Sequence, residues 1–139
     1  ILLCPETMGR PSQLGTLDEI IALCQAVPGT LPTIDFAHLH AITLGAMTDE
    51  AAFEAVVGRL IDGLGYERVQ HFHAHFSRIA FTNKGEKSHM TFADTDYGPD
   101  FACLAPVLRR HALEPTIICE SRGTQADDAM TMKAIYEVT

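Results

Sequence analysis

The sequence is short of positive charge: ten Lys and Arg stand against eighteen Asp and Glu, a formal net charge of −8. Proteins that hold nucleic acid through broad phosphate contacts present a basic face. This balance excludes a basic surface overall and leaves room only for a local one. Long apolar runs are also missing, so no stretch has the length of a membrane-spanning helix, and no secretory-signal pattern is visible. Cys4, Cys24, Cys103 and Cys119 include no CxxC pair, which argues against a zinc ribbon or a disulfide framework. In apolar or helix-like runs they read as buried free thiols, and a reducing, cytoplasmic setting is the expectation. No GxGxxG follows the first apolar run, so a dinucleotide-binding site has no support.

Histidine is what the sequence has in plenty. Six of its seven histidines fall between His38 and His89. In His71-Phe72-His73-Ala74-His75-Phe76-Ser77, three of them alternate with apolar residues at the period of a β-strand. Alternation of that kind projects all three imidazoles onto one face. A row of imidazoles suits metal binding, catalysis or pH sensing better than it suits a core.

The 139 residues suit one compact domain, 1–139. Four strand-then-helix units follow one another along it. Ile1–Cys4 reads as a buried strand, and Thr16 with Glu19 makes a capping box before a helix ended by Pro28-Gly29. Leu31–Asp35 is the second strand, followed by a loop carrying His38 and His40. A helix capped by Thr48 then runs to Leu64. The third strand spans about Arg68 to Ser77, and the polar excursion Arg78–Gly98 is long enough to carry a small hairpin of its own. A helix from about Asp100 to His111 contains Pro106, which predicts a late start or a kink. Thr116–Glu120 is the fourth strand, and Thr124 and Asp127 open the last helix. Strands alternating with amphipathic helices predict a parallel α/β sheet. Glu6, Asp35, His73 and Glu120 lie at or near the C-terminal ends of four different strands, the level at which (βα)8 barrels place their chemistry. That favours half of such a barrel over an open doubly wound sheet.

Carboxylates that can bridge ions, together with neutral imidazoles, are the ligand set of a multi-metal site. Glu6, Asp35, Glu120, His38 and His73 have that chemistry. Taken singly, Glu6 is an ordinary loop carboxylate and Asp35 a turn cap. Glu120, beside Ile117, Ile118 and Cys119, is costly to bury without a partner. His71 sits at the opposite end of its strand, and His40 and His111 read as surface or helix-end histidines.

Several segments carry a resemblance. Glu6-Thr7-Met8-Gly9 with Leu14-Gly15, Asp35-Phe36-Ala37-His38, His73-Ala74-His75-Phe76-Ser77, Glu86-Lys87-Ser88-His89 and Ile118-Cys119-Glu120-Ser121 resemble, in order, segments of the endonuclease IV family of apurinic/apyrimidinic endonucleases. That family belongs to the wider group of barrels similar to xylose isomerase. The resemblance implies the C-terminal half of a (βα)8 barrel and a zinc cluster of two or three ions, manganese being an alternative. It implies hydrolysis of DNA at abasic sites. Glu6 would bridge two ions, and Asp35, His73 and Glu120 would serve the paired site, with Glu120 positioning the attacking water. His38 and His89 would hold a third ion, with Glu86 as its carboxylate. From their place in rim loops, Arg10, Arg78, Lys84 and Lys87 are the expected phosphate contacts, with Gly9 and Ser77 as further substrate-binding candidates. The chain departs from the family at Phe36-Ala37, at His75 in place of an asparagine, and in a Glu86–His89 spacing one residue longer.

Two other readings stay open. A metal-dependent sugar or sugar-phosphate isomerase or epimerase on a similar barrel accords with the acidic charge. A non-catalytic half-barrel fragment accords with a chain that begins inside a strand. A half-barrel exposes two sheet edges and an open inner face, so a missing N-terminal half or self-association is expected to cover them.

Overall fold

The computed structural model describes residues 1–139. Helix α1, Leu17–Ala26, begins at the capping box: Thr16 accepts the Glu19 backbone N–H and Glu19 accepts that of Thr16. Strand β1, Thr33–Asp35, runs directly into helix α2, Phe36–Ile42. The expected loop around His38 and His40 is therefore a helix. Its cause is Asp35, which caps it by accepting the His38 backbone N–H at 2.8 Å, while Phe36 and Leu39 anchor it in the core.

Helix α3, Glu50–Leu64, is capped by Asp49 and not by the neighbouring Thr48, since the Asp49 carboxylate accepts from Ala52 N at 3.0 Å. The short helix α4, Tyr66–Val69, occupies the start of the expected third strand, and strand β2 is confined to His73–Phe76. The polar excursion folds as a hairpin of β3, Arg78–Thr82, and β4, Gly85–Met90. Helix α5, Phe101–Arg110, starts at Asp100 as its N-cap and passes through Pro106 without a late start. Strand β5, Thr116–Cys119, and helix α6, Gln125–Val138, complete the chain.

The result is a mixed α/β fold with a three-stranded parallel sheet in the order β1-β2-β5 and a separate two-stranded antiparallel sheet. Ile1–Cys4 is not a buried strand. The segment touches β1 and its approach through single parallel bridges, Leu3 to Thr30 and Glu6 to Thr33, and Ile1, Leu2 and Leu3 are exposed. Pro5 explains part of this: its carbonyl accepts from Thr33 N at 2.8 Å, but it has no N–H to extend a ladder. Two of the four thiols, Cys24 and Cys119, are buried as expected, whereas Cys4 is exposed and Cys103 half-buried; all are free.

Alternation in β2 divides the sheet into two environments. Ala74 and Phe76 face the helices and are fully buried, while His73 and His75 face the other side and are half-buried. Register then sets what stands beside each histidine. His73 lies between Thr33 and Thr116, and His75 between Asp35 and Ile118. On the helix side, Phe76 meets Phe101 with ring centroids 5.2 Å apart, Phe92 at 6.0 Å and Phe36 at 6.3 Å, tilted or edge-on geometries that aromatic pairs favour. One strand thus holds the centre of the core with one face and brings His75 to the polar cluster with the other.

That dual role predicts a large effect from a single truncation. Phe76→Ala should destabilise the protein by about 3–5 kcal/mol in urea unfolding, whereas Val138→Ala, at an exposed position, should stay within about 0.5 kcal/mol. A Phe76→Ala loss under about 1 kcal/mol would show that the ring is not packed as described.

Candidate metal centre

Parallel register brings the polar residues to one level. Asp35 ends β1 beside His75, and Glu120 follows β5 directly, its N–H donating to Phe76 O at 3.0 Å. Glu6 enters from the segment bridged to Thr33. Around His75 Nδ1 lie Glu6 Oε1 at 3.2 Å, Glu120 Oε1 at 3.4 Å and Asp35 Oδ2 at 3.9 Å. Three carboxylates converging on one ring nitrogen form the first ligand group, Glu6, Asp35, His75 and Glu120.

The second group shares two of these carboxylates: Asp35, His38, His89 and Glu120. His38 stands two residues inside α2, with Nδ1 2.9 Å from Thr7 O. A carbonyl only accepts, so the proton belongs on Nδ1. Nε2 then faces Glu86 Oε2 at 2.8 Å, an arrangement of two acceptors that calls for a proton or a cation between them. His89 offers Nε2 to Glu120 Oε2 at 3.6 Å, and its Nδ1 is 2.8 Å from Ser77 Oγ. Thr7 ties the base of the site together. Its hydroxyl accepts from Asp35 N at 2.9 Å, and its carbonyl holds His38.

Asp35 is the most constrained group. Its side chain is 1% exposed, Oδ1 accepts from His38 N, and Oδ2 has no hydrogen-bond partner at all. A buried carboxylate oxygen without a donor is expensive unless a cation meets it. Burial raises the Asp35 carboxyl to about 7, helped by the negative Glu120 and Glu6 and opposed by His38. The hydrogen bond from His75 holds Glu6 below the ordinary carboxylate range, and the same bond, aided by Glu120, Glu6 and Asp35, raises the His75 imidazole. Burial lowers the His89 imidazole against the attraction of Glu120. The donor set, three imidazoles and an orphaned oxygen among carboxylates, fits borderline divalent ions such as zinc or manganese.

Of the residues expected from the sequence, Glu6, Asp35, His38, His89 and Glu120 come together, and Glu86 lies against His38. His73 does not join them. It sits one pleat repeat earlier in β2, beside Thr33 and Thr116, its ring centroid 5.4 Å from that of His75. His75 stands among the carboxylates instead. The signal for it was level: Asp35 ends its strand and Glu120 follows the end of its own, so the last inward residue of β2 is their neighbour.

The longer Glu86–His89 spacing has a structural account. Ala80 pairs with Ser88 and Phe81 with Glu86, so Lys87 is left over in a β-bulge. A bulge shifts the alternation by one residue, which lets Glu86 and His89 both reach the site.

The expected substrate contacts divide. Ser77 is fully buried against His89. Arg78 donates to Tyr97 O and pairs with Asp100 at 3.4 Å, so its guanidinium is engaged within the fold. Lys84 and Lys87 are exposed on the hairpin. Gly9 serves close approach, since a Cβ there would lie 3.0 Å from Glu86 and from the His38 ring. Arg10 is half-exposed and lies 3.4 Å from Glu86 Oε1. His71 pairs with Glu114 at 3.7 Å, and His111 with Glu54, both away from the centre.

No protein-family model matches the chain. An uncharacterized protein of Methanocaldococcus jannaschii is 30% identical to it over 138 residues, which make up 99% of this chain and 50% of that protein. The chain thus spans about half the length of the curated relative it matches.

The metal-free centre has a defined pH dependence. An acid whose folded pKa is raised binds more protons folded than unfolded, so Asp35 stabilises the fold less as pH climbs from 3.8 to about 7. His75, raised above 6.5, contributes stability below that value and loses it as pH rises through its folded pKa. Both act in the same direction, the lowered His89 opposes them only below 6.5, and stability in chelator should therefore fall as pH rises from 6.5 through about 7 and the raised His75 value. Asp35→Asn keeps the acceptor for His38 N and removes the buried charge. Thermal unfolding in chelator at pH 8 should find it roughly 1–4 kcal/mol more stable than the parent, with a flatter pH profile. A less stable Asp35→Asn protein at pH 8 would contradict the charge argument.

Proposed function

We propose that this chain is the C-terminal half of a metal-dependent phosphodiesterase resembling the endonuclease IV family, acting on DNA at abasic sites. The observation that carries the metal reading is Asp35 Oδ2, buried without a donor among two imidazoles and two further carboxylates. In this reading Glu6, Asp35, His75 and Glu120 hold one ion, and Asp35, His38, His89 and Glu120 hold another, with Glu86 as an added carboxylate beside His38. Zinc is the expected metal and manganese the alternative. Bound divalent ions supply charge that clamps a phosphodiester and stabilises its leaving oxygen. Glu120, half-exposed between His75 and His89, is the residue placed to accept a proton from the attacking water; Asp35 and Glu120 are the carboxylates common to both groups, and Glu6 would serve the first only.

Support for the half-barrel comes from the chain's order at the sheet. The bridged segment, β1, β2 and β5 run parallel in sequence order, as four neighbouring βα units would. The face bearing His75 is uncovered: Ile118 beside it is 45% exposed, and Leu2 and Leu3 are exposed at the segment's end. At the other edge, an apolar groove of about 350 Å³ lies among Leu108, Leu113, Ile117, Met132 and Tyr136. A preceding half-barrel, or a second copy of this chain, would cover these surfaces. The four free thiols agree with a cytoplasmic setting, and no helix is long and apolar enough to cross a membrane.

A second reading, a metal-dependent sugar-phosphate isomerase or epimerase, draws on the net charge of −8 and on Arg78 being engaged within the fold. The two readings separate by assay. With zinc or manganese, the chain joined to its preceding half should nick an abasic-site duplex, and Glu120→Gln should lower that rate by about 100-fold or more. Elemental analysis should find about two ions per chain, fewer in Asp35→Ala. An intact abasic duplex with turnover of a small sugar phosphate would select the isomerase. Absence of bound metal would remove both.

A further inference from the structure

Glu86 is the candidate ligand that touches a fixed positive charge. Its Oε2 faces His38 Nε2 at 2.8 Å, and its Oε1 faces Arg10 Nε at 3.4 Å. Arg10 stands in the loop between Gly9 and Pro11, its side chain 52% exposed, and it meets Glu86 through Nε and not through its terminal nitrogens. Lys84 and Lys87 form no ion pair with any ligand-type residue of the centre, and Arg78 is engaged with Tyr97 and Asp100. Arg10 is therefore the cation at the mouth of the centre with donors to spare.

Two energies decide what Arg10 can do. An exposed single-point ion pair such as Arg10–Glu86 is weak, whereas a phosphate oxygen pair engages guanidinium through two parallel, charge-assisted hydrogen bonds. An arriving phosphate can thus draw Arg10 away at small cost. The charge count selects which phosphate. Glu6, Asp35, Glu86 and Glu120 contribute four negative charges, two divalent ions cancel them, and Arg10 leaves the mouth with one positive charge. That matches a singly charged phosphodiester better than a doubly charged phosphomonoester.

We propose that Arg10 is the anion-recognition residue of this centre and that a phosphodiester monoanion binds by drawing Arg10 off Glu86, releasing the Glu86 carboxylate to the ion beside His38. The proposal rests on the metal-centre reading above and adds to it a coupling between anion and metal. Anion binding strengthens metal binding, and by linkage metal binding strengthens anion binding to the same degree.

The test measures Mn²⁺ affinity of the full chain by the electron paramagnetic resonance signal of free Mn²⁺, at pH 8 and constant ionic strength. Dimethyl phosphate, inorganic phosphate and chloride are compared. Dimethyl phosphate should tighten Mn²⁺ binding by about 5-fold or more, and inorganic phosphate by less. Arg10→Gln should abolish the anion effect while binding Mn²⁺ in chloride at least as tightly as the parent, and Arg10→Lys should keep part of it. Circular dichroism checks that both variants fold, as a half-exposed loop position allows. The coupling is overturned if dimethyl phosphate leaves Mn²⁺ affinity unchanged, or if its effect survives in Arg10→Gln. The diester assignment is overturned if inorganic phosphate couples as strongly. Failure of Mn²⁺ to bind in any condition is a different result, and it removes the metal centre together with the coupling.

Discussion

Burying Asp35 at the end of β1 sets the terms for everything around it. The residue caps α2 through Oδ1 and receives its own backbone partner from Thr7, so one carboxylate joins the first loop, the sheet and the helix bearing His38. Its second oxygen is left facing imidazoles and two other carboxylates without a donor. Nothing in the fold needs that concentration of negative charge, and the rise of the Asp35 carboxyl records its cost. In the proposed metal reading, a divalent cation would turn the same arrangement from a liability into a ligand shell. The stability of the fold and the chemistry of the centre therefore oppose each other at this residue.

The two small sheets divide the work. The parallel sheet fixes level: whatever ends β1, β2 and β5 arrives at the same height. The hairpin of β3 and β4 is not part of that sheet and brings Glu86 and His89 from the side. It is seated by glycines where backbones touch, Gly85 with φ +98° against Gly9 and Arg10, and Gly9 against Glu86 and His38. A side chain at Gly85 would press on the Gly9–Arg10 backbone, and one at Gly9 would press on Glu86 and the His38 ring.

Much of this was legible in the sequence where a local interaction decides it. The Thr16–Glu19 box depends on residues three apart, and the structure shows it. The alternation of His73 and His75 with Ala74 and Phe76 also followed from the backbone period alone. Choices that depend on other strands did not. His73 and His75 share a face, and only the pairing of His75 with Asp35 separates them. Helix α2 was hidden because Asp35 serves both as a strand end and as a cap. Thr48 and Asp49 are both good caps, and the choice of Asp49 was made by the backbone. Ile1–Cys4 has the composition of a buried strand, but burial needs a neighbour as well as apolar side chains.

The bulge at Lys87 separates two properties that sequence patterns treat as one, the count of residues between two ligands and the face on which they lie. Glu86 and His89 share a site although a regular strand would put them on opposite sides. A hairpin able to absorb a residue in this way lets insertions accumulate between ligands without dispersing them. A search that fixes the gap would pass over such a chain, and one that fixes strand level and face would not. In this chain the pairing of Glu86 with His89 is thus a matter of strand level and face, which the gap along the sequence does not convey.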